Sequence, residues 1–160
     1  MILFEAEREM AIKFYSLKDT YGEFSYFSKH GFTYAGLFWP TSEHYFQAQK
    51  FESIDLQNLV RTASSPMEAA IIGRNRDHTL RHDWEEVKNQ VMMEAVLLKF
   101  SSHRNLQELL LSTKDEELIE ETSHDYYWGC GKDGSGKNVL GKILMIVREE
   151  INQQRQHGVG

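Results

Sequence analysis

The sequence predicts an α-rich α+β fold, a single domain with a few short N-terminal strands and about six helices. Its 160 residues are 41% hydrophobic, which suits one globular domain that buries roughly 70% of its unfolded surface. Aromatic, alternating segments occur early in the chain, and helical periodicity follows from Pro40 onward. Strands first, helices later and no regular strand–helix alternation are typical of the α+β class.

Two early segments predict strands. Residues 11–15 and 32–39 are rich in aromatic residues and alternate in polarity, as half-buried strands do. Gly36 divides the second segment, which favours a hairpin around it. The stretch between the two segments is predicted to be a loop.

Capping residues predict the first three helices. Their predicted boundaries are Thr41 or Ser42 to about Phe51, Asp55 onward, and Ser65 to Gly73, with Pro66 and Glu68 completing the last cap. The second helix should turn one apolar face to the core, formed by Leu56, Leu59, Val60 and Ala63.

Apolar spacing of three and four residues predicts the remaining helices. Asp83 and Glu86 resemble a capping box ahead of the first. The expected apolar stripes are Trp84, Val87, Val91, Ala95 and Leu98, then Leu106, Leu109 and Leu110, and finally Leu140, Ile143, Leu144, Val147 and Ile151 in a helix beginning near Asn138. The domain core is expected over about 12–150, and the polar tail 152–160 is predicted to fray.

Composition excludes some classes of function. The net charge of −6 argues against a sequence-independent DNA-duplex surface, which needs basic residues. The N-terminal residues show no signal-peptide pattern, and no segment approaches the ~20 apolar residues of a membrane span. With Cys130 as its only cysteine, the chain is expected in the reducing cytoplasm and away from membranes.

The segment WPTSEHYFQAQKF, residues 39–51, is the densest candidate site. Glu43 falls in the first turn of a predicted helix, where the helix dipole favours an ionised carboxylate. Such a carboxylate can stabilise an oxocarbenium-like sugar or orient a water molecule. The same electrostatics would also favour an inert glutamate there. Gln47 and Lys50 share its helical face at i+4 and i+7, and that face could line a pocket or meet solvent.

A second candidate site is the glycine-rich segment HDYYWGCGKDGSGKN, residues 124–138. Backbone N–H groups ahead of a helix can cradle a phosphate, with Lys132 or Lys137 neutralising it. Residues 131–137 fit G-x-x-x-x-G-K, but Asn138 replaces the magnesium-binding Ser or Thr of a nucleotide triphosphatase. The alternative is a flexible connection, which the three adjacent aromatic residues make a weaker explanation.

Two further features have both a structural and a functional interpretation. Trp84 lies on an apolar stripe, which favours core packing, although a first-turn position could let it stack on a base. The basic run 73–76 could meet a phosphate or offset a helix dipole. His78 and His82 have helical metal-pair spacing but lack a third ligand, so no metal site is predicted.

Several sequence blocks resemble the YbiA-like, or NADAR, family. They are F14-Y15, Y21-G-E-F-S25, W39-P-T-S-E-H-Y-F-Q-A-Q-K-F51, G73-R-N-R76, D83-W84, D125-Y-Y-W-G129 and G136-K-N-V-L-G141. Together they run over residues 12–150, almost the whole chain. The long block at 39–51 is the most specific of them.

The resemblance implies an N-glycosidase with a small-molecule phosphorylated ribose substrate and no cofactor. Members of the family cleave ribosylamino-pyrimidine phosphates of riboflavin biosynthesis and release ribose 5-phosphate, and others remove ADP-ribose from guanine in nucleic acid. It implies catalytic roles for Glu43, Asp125 and Trp84. The implied substrate-binding residues are Tyr15, Gly22, Glu23, Phe24, Ser25, Arg74, Trp128, Gly136, Lys137 and Asn138. Tyr26 and Cys130 depart from the family pattern.

Three hypotheses follow from these observations. The first is hydrolysis of a ribosylamino-pyrimidine phosphate, in which Glu43 stabilises the sugar cation and Glu43 or Asp125 activates water. Trp84 and Trp128 would contact the base, while Lys137 and Arg74 hold the phosphate. The second is removal of ADP-ribose from guanine in DNA or RNA. The third is a non-catalytic ADP-ribose-binding module. The sequence leaves the oligomeric state open.

Overall fold

The computed structural model describes residues 11–158, which group into two compact units. The central unit comprises residues 26–103, and the terminal unit comprises residues 11–25 and 104–158. The expectation of a single domain stays a prediction. Along residues 11–158, none of the helices combines the length and the apolar composition needed to cross a bilayer.

The predicted α-rich α+β class is confirmed. The described residues form four short strands, six α-helices and one 3-10 helix. The strands are β1 (Ile12–Phe14), β2 (Phe32–Tyr34), β3 (Leu37–Trp39) and β4 (Leu118–Glu120). The helices are α1 (Ser42–Ala48), α2 (Ile54–Arg61), α3 (Pro66–Arg74), α4 (Trp84–Ser101), α5 (Arg104–Ser112) and α6 (Val139–His157), and the 3-10 helix is Gly22–Phe24.

The central unit surrounds one short helix. Strands β2 and β3 form the predicted antiparallel hairpin, in which Phe32 pairs with Trp39. Ala35 and Gly36 have φ of 52° and 79°, the positive values that a two-residue hairpin turn requires. Helix α1 packs against α2, α3, α4 and β3, and every residue of α1 is buried.

The terminal unit contains a parallel strand pair that the sequence did not predict. β1 pairs with β4, with Ile12 opposite Leu118 and Phe14 opposite Glu120. β4 lies in the acidic run 115–121, where only two residues are apolar, so its local signal is weak. Its partner is about a hundred residues away in sequence, and only the tertiary pairing defines the strand.

Helix α6 confirms its predicted stripe, since Leu140, Ile143, Leu144, Val147 and Ile151 are all buried. The prediction of a frayed tail is wrong for residues 152–157, because the helix continues to His157. Glutamine–glutamate hydrogen bonds at i,i+4 spacing support this last part. Basic residues in the last turn also complement the helix dipole.

Two predicted helix boundaries and one predicted side-chain cap are corrected. Helix α1 ends at Ala48 because the amides of Lys50 and Phe51 bond three residues back and close a tighter turn. Ser53, not Asp55, caps α2 through its side chain, and Leu59 on the expected apolar face is 50% exposed. Asp83 precedes α4 but makes no side-chain cap, because its carboxylate pairs with Arg81.

The predicted start of α3 is confirmed. Ser65 accepts a hydrogen bond from the Glu68 amide, as the cap required. The Glu68 carboxylate accepts from Ser64 rather than completing a box with Ser65. Gly73 lies inside the last turn, one residue before the helix ends at Arg74.

Candidate active site

Helix α1 is unusual because it is short, fully buried and largely polar. Glu43 is 2% exposed, His44 1% and Gln47 2%, whereas such side chains normally remain at the surface. Thr41 caps the helix by accepting from the His44 amide, which places Glu43 in the first turn as predicted. The Glu43 amide donates to the Tyr26 carbonyl at 3.1 Å. A buried carboxylate is thus fixed at the positive end of a helix.

Gln47 holds the Glu43 carboxylate from one turn further along α1. Its Nε2 donates to Glu43 Oε1 at 2.6 Å, which is a short hydrogen bond. The spacing of four residues puts both side chains on one face. The sequence predicted this shared face, and the structure shows that it is buried rather than turned to solvent.

Lys50 supplies a buried positive charge near that face. It is 6% exposed, and its Nζ lies 5.7 Å from the Phe46 ring centroid and 5.8 Å from the Trp84 ring centroid. Burial, and then repulsion from Arg76, lowers the Lys50 pKa to about 8 against an opposing attraction from Glu43. Such a lysine can hold a proton at neutral pH and release it in mild alkali.

Arg74 and Arg76 complete a basic cluster with Lys50. Arg74 is the last residue of α3 and Arg76 lies just beyond it, and both are exposed. Both also lower the Lys50 pKa by electrostatic repulsion, so the three charges act on one another. These three cations form a basic cluster next to the carboxylates of Glu43 and Glu85, which oppose the repulsion. A role of Arg74 in phosphate binding stays a prediction.

Trp84 is a packed aromatic in this arrangement. It is 5% exposed and lies 5.0 Å from Phe46, centroid to centroid, at an interplanar angle of 59°. Most of the Trp84 side chain is therefore packed in the core, as the apolar stripe predicted. Its indole also forms part of the aromatic surroundings of Lys50, which is how it bears on the site.

His44 locks the helix that carries Glu43. Its Nδ1 lies 2.8 Å from Thr41 Oγ1, and its Nε2 lies 3.1 Å from the Ala63 carbonyl oxygen. Because a carbonyl only accepts, Nε2 carries the proton, and Nδ1 accepts from the Thr41 hydroxyl. Burial lowers the His44 pKa, consistent with a neutral ring. The α1 N-terminus is therefore tied to the chain that follows α2.

In the terminal unit, Asp125 organises the glycine-rich segment. Its Oδ1 accepts from the amides of Tyr127 at 2.9 Å and Trp128 at 2.8 Å. Thr122 Oγ1 donates to the Asp125 carbonyl at 2.6 Å. The carboxylate thus shapes the turn that presents Trp128, whose half-buried ring makes an edge contact with Tyr127.

Most of the backbone N–H groups expected to cradle a phosphate already have protein partners. Each amide of residues 134–140 donates to a protein oxygen, and the carbonyls of residues 126–129 cover the start of α6. These N–H groups are therefore satisfied internally, which the sequence pattern could not reveal. Lys137 is exposed, with its Nζ 5.6 Å from the Tyr127 ring centroid. Lys132 is exposed too, so both ammonium groups are candidates to bind an anion.

Two of the predicted binding residues in this segment have structural roles. Asn138 is 8% exposed; its Nδ2 donates to the Leu118 carbonyl and its Oδ1 accepts from the Glu120 amide, both at 2.9 Å. Gly136 lies where a Cβ would come within 2.5 Å of the Gly129 carbonyl oxygen. Both residues are engaged with the protein itself, and their roles in substrate binding stay predictions.

The N-terminal candidates differ among themselves. Tyr15 is 60% exposed and lines a cavity of about 810 Å³ within the terminal unit. Phe24 is 1% exposed and packs edge-on against Phe14, while Gly22 is buried against the Leu17 carbonyl. Phe24 and Gly22 are therefore core positions, and their roles in substrate binding stay predictions. Glu23 is half-buried and Ser25 is buried, and both stay predictions.

The structure adds residues that the sequence did not single out. Lys50 and Gln47 were noted only as sharing a face with Glu43, and Arg76 only as part of a basic run. The sequence feature that could have identified Gln47 and Lys50 is their spacing of four and seven residues from Glu43 within an aromatic-rich helix. Within residues 11–158, no group of three or more His, Cys, Asp or Glu side chains is placed to hold a metal ion.

Comparison with known proteins decides the family. The NADAR domain matches residues 13–152 of this chain. The chain belongs to the NADAR family. The match includes Glu43, Lys50, Trp84 and Asp125, so both units contribute residues to the NADAR sequence pattern.

Relatives of this NADAR chain include named N-glycosidases. It is 49% identical to the N-glycosidase YbiA of Escherichia coli over 90% of each chain, and 48% identical to a protein named as an N-glycosidase from Nostoc punctiforme over 89% of this chain and 93% of that one. The NMR structure of E. coli YbiA matches with a TM-score of 0.87 at 47% identity, covering 94% of this chain and 89% of that one. The predicted NADAR resemblance and glycosidase class are confirmed.

A less similar relative is named after riboflavin biosynthesis. The chain is 41% identical to the riboflavin biosynthesis protein PYRR of Zea mays, over 88% of this chain but 25% of that protein. The NADAR domain is thus one part of that larger protein.

Proposed function

We propose that this protein hydrolyses the N-glycosidic bond of phosphorylated ribosylamino-pyrimidines of riboflavin biosynthesis and releases ribose 5-phosphate. The observation that carries the proposal is the Glu43 carboxylate, 2% exposed and hydrogen-bonded by Gln47. The named N-glycosidase relatives support the reaction class, and the plant riboflavin biosynthesis relative supports the choice of substrate.

The chemistry of Glu43 follows from its placement. Cleavage of a ribose C–N bond builds positive charge at the anomeric carbon, as in other glycoside hydrolyses. A fixed, buried carboxylate stabilises that charge far better than one in water, because little solvent screens it and it does not need to reorient. Glu43 would take this role directly or through a transient bond to the sugar. Water then completes the hydrolysis.

The basic cluster supports a phosphorylated substrate. Lys50, Arg74 and Arg76 form a set of interacting positive charges on the unit that carries Glu43. Arginine forks bind phosphate oxygens in pairs, and a phosphate remote from the reacting bond helps to fix its geometry. Lys137, exposed beside Tyr127, is proposed as a further phosphate-binding cation, and Trp128 as a base-contacting ring.

Asp125 is proposed to take part in proton transfer. Its Oδ1 is committed to two amides, and a carboxylate retains further lone pairs for another partner. Its turn geometry therefore allows both a loop-shaping role and an acid–base role.

The test of the proposal is Glu43→Gln. Purified protein is given the ribosylamino-pyrimidine 5-phosphate, and released ribose 5-phosphate is measured. We expect wild-type turnover and a loss in kcat of about 100-fold or more in the variant, as when an electrostatic transition-state contact is removed. Glu86→Gln is the matched control, since Glu86 is an exposed first-turn glutamate on α4.

The same assay separates the rival substrate. A guanine oligonucleotide bearing ADP-ribose is supplied in parallel. Turnover of that substrate alone would replace the proposed one, and tight ADP-ribose binding with no turnover of either would indicate a binding module. Full activity of a folded Glu43→Gln protein would refute the catalytic assignment.

A further inference from the structure

The side chain of Gln47 lies between Glu43 and the last turn of α3. Nε2 donates to Glu43 Oε1, and the carbonyl end of the same amide lies against Gly73. A Cβ built on Gly73 would sit 2.0 Å from Gln47 Oε1, 2.8 Å from its Cδ and 2.9 Å from its Cβ. Any residue other than glycine at 73 would therefore collide with this amide.

Gly73 needs an explanation within a helix. Glycine is unfavourable at helical positions relative to alanine. Its backbone is helical rather than left-handed, so conformational freedom is not the reason. The remaining reason for a glycine at this position is the close approach of another group to its Cα. That group is the Gln47 side-chain amide, which donates to Glu43. The last turn of α3 is therefore shaped around Gln47.

We propose that Gln47 is a positioning residue for Glu43 and that Gly73 is the residue that admits Gln47 to this position. This inference rests on the catalytic role proposed for Glu43. The amide sets the direction of the carboxylate and favours its ionised form by donating to it. Gln47 Oε1 has no hydrogen-bond partner in the described structure. The amide therefore makes one hydrogen bond, from Nε2 to Glu43, and its oxygen end packs against Gly73.

The test is a double-mutant cycle of Gly73→Ala and Gln47→Ala, with kcat and KM measured in the glycosidase assay. An added methyl at 73 displaces the flexible end of Gln47 rather than backbone, so Gly73→Ala should fold. We expect kcat to fall by up to about 100-fold, as a misplacement of about 1 Å can cause, with little change in KM. Gln47→Ala alone should give a similar fall.

The decisive protein is the double variant. In the Gln47→Ala background the methyl of Ala at position 73 meets no amide, and only the close contact with the Cβ at position 47 remains. Gly73→Ala should therefore cause a much smaller loss there than in the wild-type background. Two independent packing defects would instead multiply their effects. Gln47→Met, which keeps the bulk and removes the donor, should lower kcat while thermal unfolding stays near wild type. Ile71→Ala and Gln90→Ala, both at exposed helix positions, are the matched controls.

Each outcome decides the proposal. Multiplying effects in the double variant, or wild-type kcat in Gln47→Met, would overturn it. If Gly73→Ala does not fold, Gln47→Met and the double variant still decide the matter. Failure of the proposed function is recognised separately, because it appears as an active Glu43→Gln protein, whereas failure of this inference leaves that variant inactive.

Discussion

Replacing Lys50 by methionine should change how stability depends on pH. Methionine keeps a similar unbranched shape among the aromatic rings but cannot be protonated. Lys50 has a pKa of about 8 instead of 10.5, chiefly because it is buried. That difference corresponds to about 3 kcal/mol of folding free energy, at about 1.4 kcal/mol per pKa unit.

The sign follows from proton binding. Below pH 8 the lysine is protonated in both the folded and unfolded chain, and the whole cost of burying the charge is present. Between pH 8 and 10.5 the folded protein binds fewer protons than the unfolded chain, so its stability rises with pH. Relative to Lys50→Met, wild type should therefore gain up to about 3 kcal/mol over this window.

The assay is denaturant unfolding at several pH values from 7 to 10.5. The quantity compared is the difference in unfolding free energy between wild type and variant, which cancels the titration of other lysines and tyrosines. Lys142→Met is the matched control because Lys142 is exposed on α6, and it should follow wild type. A difference between wild type and Lys50→Met that does not change with pH would refute the depressed pKa.

Two further predictions concern His44 and Asp125. Burial lowers the pKa of His44 below its ordinary 6.5. As the pH falls, the unfolded chain therefore binds a proton at this histidine before the folded protein does, and the stability of the fold should fall below about pH 6.5. In urea unfolding, His44→Gln should lose less stability than wild type between pH 7 and 5. Asp125→Asn should keep the turn, because its amide oxygen can still accept both N–H groups, yet lose about 100-fold in kcat if the group moves a proton. Near-normal kcat in Asp125→Asn, with a large loss in Asp125→Ala, would reduce Asp125 to a loop-shaping role.

Local patterns predicted much of the fold. The caps at Thr41 and Ser65 and the buried stripe of α6 each depend on residues within a few positions of one another. The α6 stripe was correct at every position because its spacing repeats over several turns. Such features need no knowledge of distant partners.

Features decided by distant or competing partners were missed. β4 exists through its pairing with β1, and the Asp83 carboxylate pairs with Arg81 instead of capping α4. The glycine-rich segment matched a phosphate loop in composition, but its amides bond to nearby carbonyls. A sequence specifies which donors exist, whereas only the fold specifies which acceptors reach them.

The candidate site was predicted only in part, because some of its contacts also depend on residues distant in sequence. Glu43 was found through its helix-start position and the family motif. The importance of Lys50 depends on burial beside Phe46 and Trp84, and Trp84 arrives on another helix. The spacing of Gln47 from Glu43 was visible in the sequence, but its contact with Gly73 was not.

The side chain of Asn138 bears on aggregation as well as on folding. β4 pairs with β1 along one side. On its other side, the Asn138 side chain donates to the Leu118 carbonyl and accepts from the Glu120 amide. The Cys130 amide donates to the Glu120 carbonyl on that same side. An unpaired strand edge is a template for another chain to add to. Here one amide side chain imitates a neighbouring strand, so a sheet of two short strands presents no open hydrogen-bonding row along that side of β4.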